Sequence, residues 1–272
     1  MGSPAEPVTG LPVALTIAGS DSGGGAGIQA DLKVFFALGC HGTSAITALT
    51  AQNTVGVTGI HEVPPAFVAE QIDAVADDLD VAAAKTGMLA SASIVSAVAE
   101  RVRAHSLTLV VDPVFVSKHR VRLLADDAVT ALTGELFPLA TVITPNLFEA
   151  GALVGGDVVT LEDMKEAAVR LHDLGPAAVL VKGGHLPDVD RSVDVFFDGG
   201  SVELFDSPRF DTDDTHGTGC ALSAAITARL AHGDTIGDAV AFGKTFITGA
   251  IRRSLRLGKG FGPVNPGWEL LG

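Results

Sequence analysis

Only two cysteines, Cys40 and Cys220, occur in the 272 residues. Their neighbourhoods are unalike, so the chain lacks a disulfide framework and fits a reducing, cytoplasmic setting. Basic residues are scarce as well: 18 Lys and Arg stand against 32 Asp and Glu, a net charge of −14. Nucleic acid needs a basic footprint, so it is excluded as a partner, and any bound phosphate must be held by local groups. No run of about 18 apolar residues occurs, which argues against a membrane-spanning helix, and residues 1–7 lack the basic start and apolar stretch of a signal peptide. Also missing are a Ser/Pro/Gly-rich linker, an internal repeat and a low-complexity tract. The expectation is a soluble protein in which residues 1–10 form a loose tail and residues 11–272 one domain, since α/β units reach roughly 250 residues as one domain.

What is present supports a large core: 47% of residues are hydrophobic and 18% charged. Short apolar β-type runs at 12–18, 43–49, 80–85, 107–112, 140–144 and 177–182 alternate with helical spacing at 27–38, 66–77, 91–104 and 161–173. That alternation predicts βαβ units and a parallel sheet covered on both faces. Residues 193–205 read instead as an antiparallel hairpin around Asp198, Gly199 and Gly200, and two long helices are expected at 218–232 and 235–256. Polar residues follow the apolar runs at Gly19-Ser20-Asp21, Asp112-Pro113, Thr144-Pro145-Asn146 and Lys182-Gly183-Gly184-His185. Ligands of open α/β sheets bind beyond the carboxyl ends of strands, so these ends point to one composite site.

The most informative segment is 211–225, where a polar run enters Gly217-Thr218-Gly219 and an Ala-rich helix begins. Glycines let a phosphate approach the backbone, and the first N–H groups of the helix point outward where the macrodipole favours negative charge. Cys220 in that first turn is predicted to have a lowered pKa; the competing reading is a plain helix start with a small buried cysteine. Segment 18–31 is a glycine-rich strand-to-helix loop, but the acidic ribose partner of a dinucleotide site is missing near 45–50. Asp31 reads as a helix carboxylate, either solvated or accepting from a substrate hydroxyl or amine. Gln52 and Asn53 end an apolar run with amide donor and acceptor groups suited to a nitrogen heterocycle, or simply form a turn. Lys85 and Met88 end another strand, with Met88 lining a ring pocket or packing the core. Asn146 and Glu149, three apart at a helix start, suit a hydrated Mg²⁺ or a capping box, or both. Lys182, before two glycines, resembles a cation aimed at a nucleotide phosphate.

Taken in order, Ala-Gly-Ser-Asp-Ser-Gly-Gly-Gly-Ala-Gly-Ile-Gln-Ala-Asp-Leu-Lys, Thr-Ala-Gln-Asn-Thr, Lys-Thr-Gly-Met-Leu, Val-Asp-Pro-Val, Thr-Pro-Asn-Leu-x-Glu-Ala, Val-Lys-Gly-Gly-His and Thr-His-Gly-Thr-Gly-Cys resemble the hydroxymethylpyrimidine/phosphomethylpyrimidine kinases of thiamine biosynthesis. The resemblance runs from about residue 12 to 264 and implies a ribokinase-like three-layer α/β/α sandwich using ATP and Mg²⁺ for two successive phosphorylations. It implies that Gly19, Asp31, Gln52 and Met88 bind the pyrimidine and that Cys220 takes the catalytic-base position beside Gly217, Thr218 and Gly219. Asp112, Asn146, Lys182 and Thr215 would serve ATP and phosphate, with Glu149 and Asp112 reaching the metal through water. Superfamily members are often dimeric, so a homodimer is expected. Two departures stand out: His119, Arg120 and Arg122 replace a small glycine-containing loop, and Lys259 stands where the family has His. A pyridoxal kinase of the same superfamily and a nucleotide-binding regulator that has lost catalysis are the alternatives. A cysteine hydrolase lacks a separate orienting residue.

Overall fold

The computed structural model describes residues 9–115, 126–184, 186 and 191–270. In chain order the elements are β1 (Val13–Ala18), α1 (Gly27–Ala37), β2 (His41–Ile46), β3 (Ala48–Gln52), β4 (Val57–Glu62), α2 (Pro65–Ala76), β5 (Val81–Thr86), α3 (Ala92–Ala104), β6 (Leu109–Val111), α4 (Asp126–Ala131), β7 (Val142–Ile143), α5 (Leu147–Val154), α6 (Leu161–His172), β8 (Val179–Val181), β9 (Arg191–Phe197), β10 (Val202–Pro208), α7 (Thr218–Ala231) and α8 (Ile236–Arg252). Eight strands form one sheet in the order β10-β9-β8-β7-β6-β5-β1-β2. The six from β8 to β2 run parallel, and β9 and β10 add the antiparallel edge.

Strand alternation divides the core in two. Leu15, Ile17, Leu109, Val111, Val179 and Val181 face one side, where they pack with Ile72 of α2, Val95 of α3 and Met164 of α6. Ala14, Val110 and Leu180 face the other, against Phe35 of α1, Ala224 of α7 and Phe246 of α8. The result is the expected three-layer α/β/α sandwich. The same alternation puts Thr16 of β1 and Lys85 of β5 on the α1/α7 face, both without exposed surface. Two strands that are otherwise apolar there carry polar side chains under the helix that begins at the glycine turn.

Two elements differ from the sequence reading. The run at 43–49 is not one strand. The Thr47 N–H closes the ladder to β1 by donating to Ala18 O (3.0 Å), and the chain leaves the main sheet there, with the Thr47 hydroxyl donating to Met88 O (2.6 Å). It then continues as β3, which pairs only with β4 in a separate two-stranded sheet. Helix α8 stops at Arg252, short of the expected 256, and the following chain turns back so that Leu255 N donates to Pro263 O (2.8 Å).

Candidate active site

Gly217 caps α7 with φ 79°, and a Cβ there would collide with the carbonyl oxygen of Gly25. Only glycine accepts both the left-handed backbone and the contact. The turn is thereby locked onto the loop that follows β1, and the first-turn N–H groups of Gly219 and Cys220 lie beyond the reach of i−4 bonding inside the helix. Thr215 shapes the entry, its carbonyl accepting from the Thr218 hydroxyl at 2.7 Å. Beneath the turn, a Cβ on Gly219 would stand 3.3 Å from Lys182 Nζ and 3.4 Å from Asp112 Oδ2. An anion seated at the turn therefore meets a lysine and a carboxylate as well as helix N–H groups.

Those two side chains are paired: Lys182 Nζ donates to Asp112 Oδ1 at 2.7 Å, and the Thr144 hydroxyl donates to the same oxygen at 3.0 Å. Burial would raise the Asp112 pKa, but Lys182, Lys85 and these hydrogen bonds hold it below the usual carboxylate range. Asn146 and Glu149 form a full capping box at α5, with Asn146 N–H to Glu149 Oε2 at 2.8 Å and Glu149 N–H to Asn146 Oδ1 at 3.0 Å. Glu149 is only 3% exposed. Its burial, opposed by Lys182 and reinforced by Asp112, pushes its pKa up to about 7.

The loop that follows β1 also brings Gly19 beside Met88. Met88 Cε would touch a Cβ on Gly19 at 3.1 Å, so the glycine leaves room for the thioether. Gln52 ends β3 beside the loop 20–23, where its N–H donates to the Ser22 hydroxyl (2.8 Å). The glycine-rich loop wraps around its own carboxylate: Asp21 accepts from the N–H groups of Gly23 (2.8 Å), Gly25 (3.0 Å) and Ala26 (2.9 Å). The nest that would hold a dinucleotide phosphate is filled from within, in line with the missing ribose partner.

The chain matches the phosphomethylpyrimidine kinase family over residues 21–265. It is 52% identical over 270 residues to the hydroxymethylpyrimidine/phosphomethylpyrimidine kinase of Mycobacterium leprae, covering 97% of each chain. The chain belongs to the phosphomethylpyrimidine kinase family. It is also 54% identical over 252 residues to the thiamine biosynthesis bifunctional protein ThiED of Geobacter sulfurreducens, covering 92% of this chain and 51% of that one. Among solved structures, the ADP complex of Bacillus subtilis pyridoxal kinase superposes with a TM-score of 0.90 at 40% identity, over 97% of this chain and 100% of the other. The sandwich is the ribokinase-like kinase fold.

Within this family member two expectations are corrected. Asp31 is neither solvated nor open to a ligand: it has no exposed surface, Lys85 Nζ lies 3.0 and 3.1 Å from its two oxygens, and the Thr16 hydroxyl donates to Oδ2 at 2.7 Å. The helical period that places it near the pocket also turns it inward, onto the polar patch of β1 and β5. The Cys220 thiol is not acidified. Burial, helped by the Asp31 and Asp112 carboxylates, pushes it up to about 11, although Lys85 and the Gly27 N–H act the other way. Desolvation outweighs the helix terminus.

Sequence reasoning assigned no role to Lys85 and passed over Asp21 and His216. Burial would lower the Lys85 pKa, but Asp31, Cys220 and Asp112 keep the ammonium charged. The available clue was a lysine inside an otherwise apolar strand. The His216 Nε2 lies 2.8 Å from Asp21 Oδ2 and 3.3 Å from Gln52 Nε2. His119, Arg120 and Arg122 lie outside the described residues. No helix among the described residues is long and apolar enough to cross a membrane.

Proposed function

We propose that the protein transfers the γ-phosphoryl group of ATP to the hydroxymethyl oxygen of 4-amino-5-hydroxymethyl-2-methylpyrimidine, and then phosphorylates the monophosphate to the diphosphate, in thiamine biosynthesis. The observation that carries this reading is the glycine turn of α7 set over the Lys182–Asp112 pair, with Gly19, Met88 and Gln52 grouped about the loop that follows β1. Phosphoryl transfer needs positioning and charge neutralisation more than covalent chemistry. The N–H groups at 217–219 and Lys182 neutralise phosphate charge, Thr215 and Asn146 hold the turns that carry them, and Gln52 engages the pyrimidine. Asp31 supports the pocket from below through Lys85.

The donor set fits a hydrated Mg²⁺. No group of three or more His, Cys, Asp or Glu residues is placed to hold a metal among the described residues, yet Mg²⁺ commonly binds through one or two carboxylates, waters and substrate phosphates. Asp112 and Glu149 would hold it through water, and when bound it supplies further neutralisation of the phosphate oxygens. Cys220 stands at the position that the resemblance gives to the catalytic base, but as a neutral thiol it does not take up the hydroxyl proton, which would pass instead to an oxygen of the transferred phosphoryl group. The partner proposed is a second copy of the chain, as the resemblance to often dimeric superfamily members implies.

A second reading, phosphorylation of pyridoxal, is favoured by the likeness to the Bacillus subtilis pyridoxal kinase. The test is ADP release with Mg²⁺ and ATP against hydroxymethylpyrimidine, its monophosphate and pyridoxal, with products identified by mass. Mono- and diphosphate products are expected. Turnover of pyridoxal alone moves the assignment to the second reading, and nucleotide binding without ADP from any of the three refutes a kinase.

A further inference from the structure

His216 sits between the glycine turn of α7 and the loop that follows β1, 5% exposed. Its backbone is fixed to the C-terminal loop, its N–H donating to Gly262 O (3.0 Å) and its carbonyl accepting from Val264 N–H (3.1 Å). Its Nε2 faces Asp21 Oδ2 at 2.8 Å, and Asp21, although burial pushes its pKa up, is held below the usual carboxylate range by His216 and the Gly23 and Ala26 N–H groups. An ionised carboxylate only accepts, so the proton of this contact is on Nε2. The neighbour of that same nitrogen is the Gln52 amide, at 3.3 Å.

Donor and acceptor accounting then fixes the amide. With the Gln52 NH₂ toward His216, two donors would face each other. On its far side, Gln52 Oε1 lies 3.3 Å from the Thr50 hydroxyl, whose one proton is committed to Ser20 O at 2.8 Å, so two acceptors would face each other there. Reversing the amide satisfies all four groups: Oε1 shares the His216 proton and the NH₂ donates to Thr50 Oγ1. Amide nitrogen and oxygen are told apart by such partners.

We infer that His216 is a specificity-determining positioning residue, which through its Nε2–H between Asp21 and Gln52 sets the order of donor and acceptor that Gln52 offers to the substrate ring. After these contacts Oε1 keeps one lone pair and the NH₂ one hydrogen. That pair complements a ring nitrogen next to an exocyclic amine: the ring nitrogen accepts from the amide and the amine donates to Oε1. A ring lacking the amine leaves Oε1 short of a partner. The inference rests on the reading that Gln52 faces a pyrimidine substrate.

The experiment compares kcat/KM for hydroxymethylpyrimidine with that for its analogue lacking the 4-amino group, in the wild type and in His216→Leu, His216→Gln, Thr50→Val and Gln52→Ala. The wild type is expected to prefer the amine. The preference is expected to fall about tenfold in His216→Leu, the scale of one hydrogen bond left unmade, and to return in His216→Gln, whose side-chain N–H reaches the same place. In the Gln52→Ala background, His216→Leu is expected to leave the ratio where Gln52→Ala alone put it. A purely structural role would slow both substrates equally, and an unchanged ratio in His216→Leu overturns the inference, as does an equal fall in the Gln52→Ala background. Should His216→Leu fail to fold, Thr50→Val carries the test from the other end of the amide: a smaller fall in the same ratio supports the inference and an unchanged ratio overturns it. A wild type that phosphorylates neither pyrimidine refutes the functional reading, and the inference with it; a wild type that prefers the amine with no effect of the variants refutes the inference alone.

Discussion

Replacing Lys85 by methionine tests the buried pair most directly. Lys85 and Asp31 have no exposed side-chain surface, and the ammonium lies 3.0 and 3.1 Å from the two carboxylate oxygens. Methionine fills most of the lysine stem, so little apolar contact is lost, but Asp31, whose carboxyl burial already pushes above its usual range, is left with only the Thr16 hydroxyl and must either stay buried as an unpaired charge or take up a proton. Breaking a buried pair from one side costs about 3–5 kcal/mol, because the remaining charge is stranded. For a chain of this length each kcal/mol shifts Tm by about 2–4 °C, so Lys85→Met is expected to melt about 6–20 °C below the wild type. Adding Asp31→Asn removes the stranded charge while keeping an acceptor for Thr16, so the double variant should melt above Lys85→Met. Scanning calorimetry of the ligand-free protein at pH 7.5 reads both. A shift under about 2 °C for Lys85→Met, which is less than about 1 kcal/mol, or a double variant that melts lower still, would refute the assignment of Lys85 and Asp31 as a mutually dependent ion pair.

Three further outcomes are expected. Glu149 has a folded pKa of about 7, above its unfolded value of about 4.3, so the native state binds the extra proton. Its contribution is fully present below the unfolded value and fades as pH rises through about 7, costing on the order of 3 kcal/mol by pH 8. Urea titrations from pH 5 to 8 should show a shallower decline for Glu149→Gln, and parallel wild-type and variant curves would contradict this. Cys40 and Cys220, both pushed up to about 11 by burial, should be alkylated by iodoacetamide at pH 7.5 at least about tenfold more slowly than an ordinary thiol; rapid labelling of Cys220 would restore the acidic-thiol reading. Gly217→Ala should lose at least about 2 kcal/mol of stability from the left-handed backbone and the Gly25 collision. It should also lose about a hundredfold in turnover, as when one anion-stabilising donor is displaced; near-normal turnover in the folded variant would remove the turn from the chemistry.

The sandwich was legible because strand and helix periods are local: Leu15 and Ile17, or Val179 and Val181, announce their face by spacing alone. The polar ends of β1, β6, β7 and β8 were legible too, since Asp112, Asn146 and Lys182 follow directly on apolar runs. The break at Thr47 was not, because it goes with a hydroxyl reaching Met88, 41 residues away. Asp31 and Cys220 show the same limit in the site. Their positions on α1 and α7 could be read from the chain, but their protonation and accessibility follow from burial among Lys85, Asp112 and each other, which only the packed helices and strands determine.

The packed charges also constrain how the proposed chemistry begins. Lys85 answers Asp31 and Lys182 answers Asp112, so the floor beneath the turn is nearly neutral while Glu149 is protonated and Cys220 is a thiol. A polyphosphate arriving at Gly217–Gly219 competes with Asp112 for Lys182, because phosphate oxygens draw the ammonium toward the turn. Asp112 is then short of a cation, and so is Glu149, whose ionisation Lys182 favours. A hydrated divalent cation meets both demands at once. Phosphate and metal binding should therefore reinforce each other, and the reinforcement should grow as pH rises through about 7, where Glu149 gives up its proton. The same electrostatics weigh against a thiolate at Cys220 before transfer, since Asp31 and Asp112 disfavour a third negative charge. Proton loss from the substrate hydroxyl, to an oxygen of the transferred phosphoryl group, belongs late in the step, after bond breaking at phosphorus has begun, which is the order that a loose transition state permits.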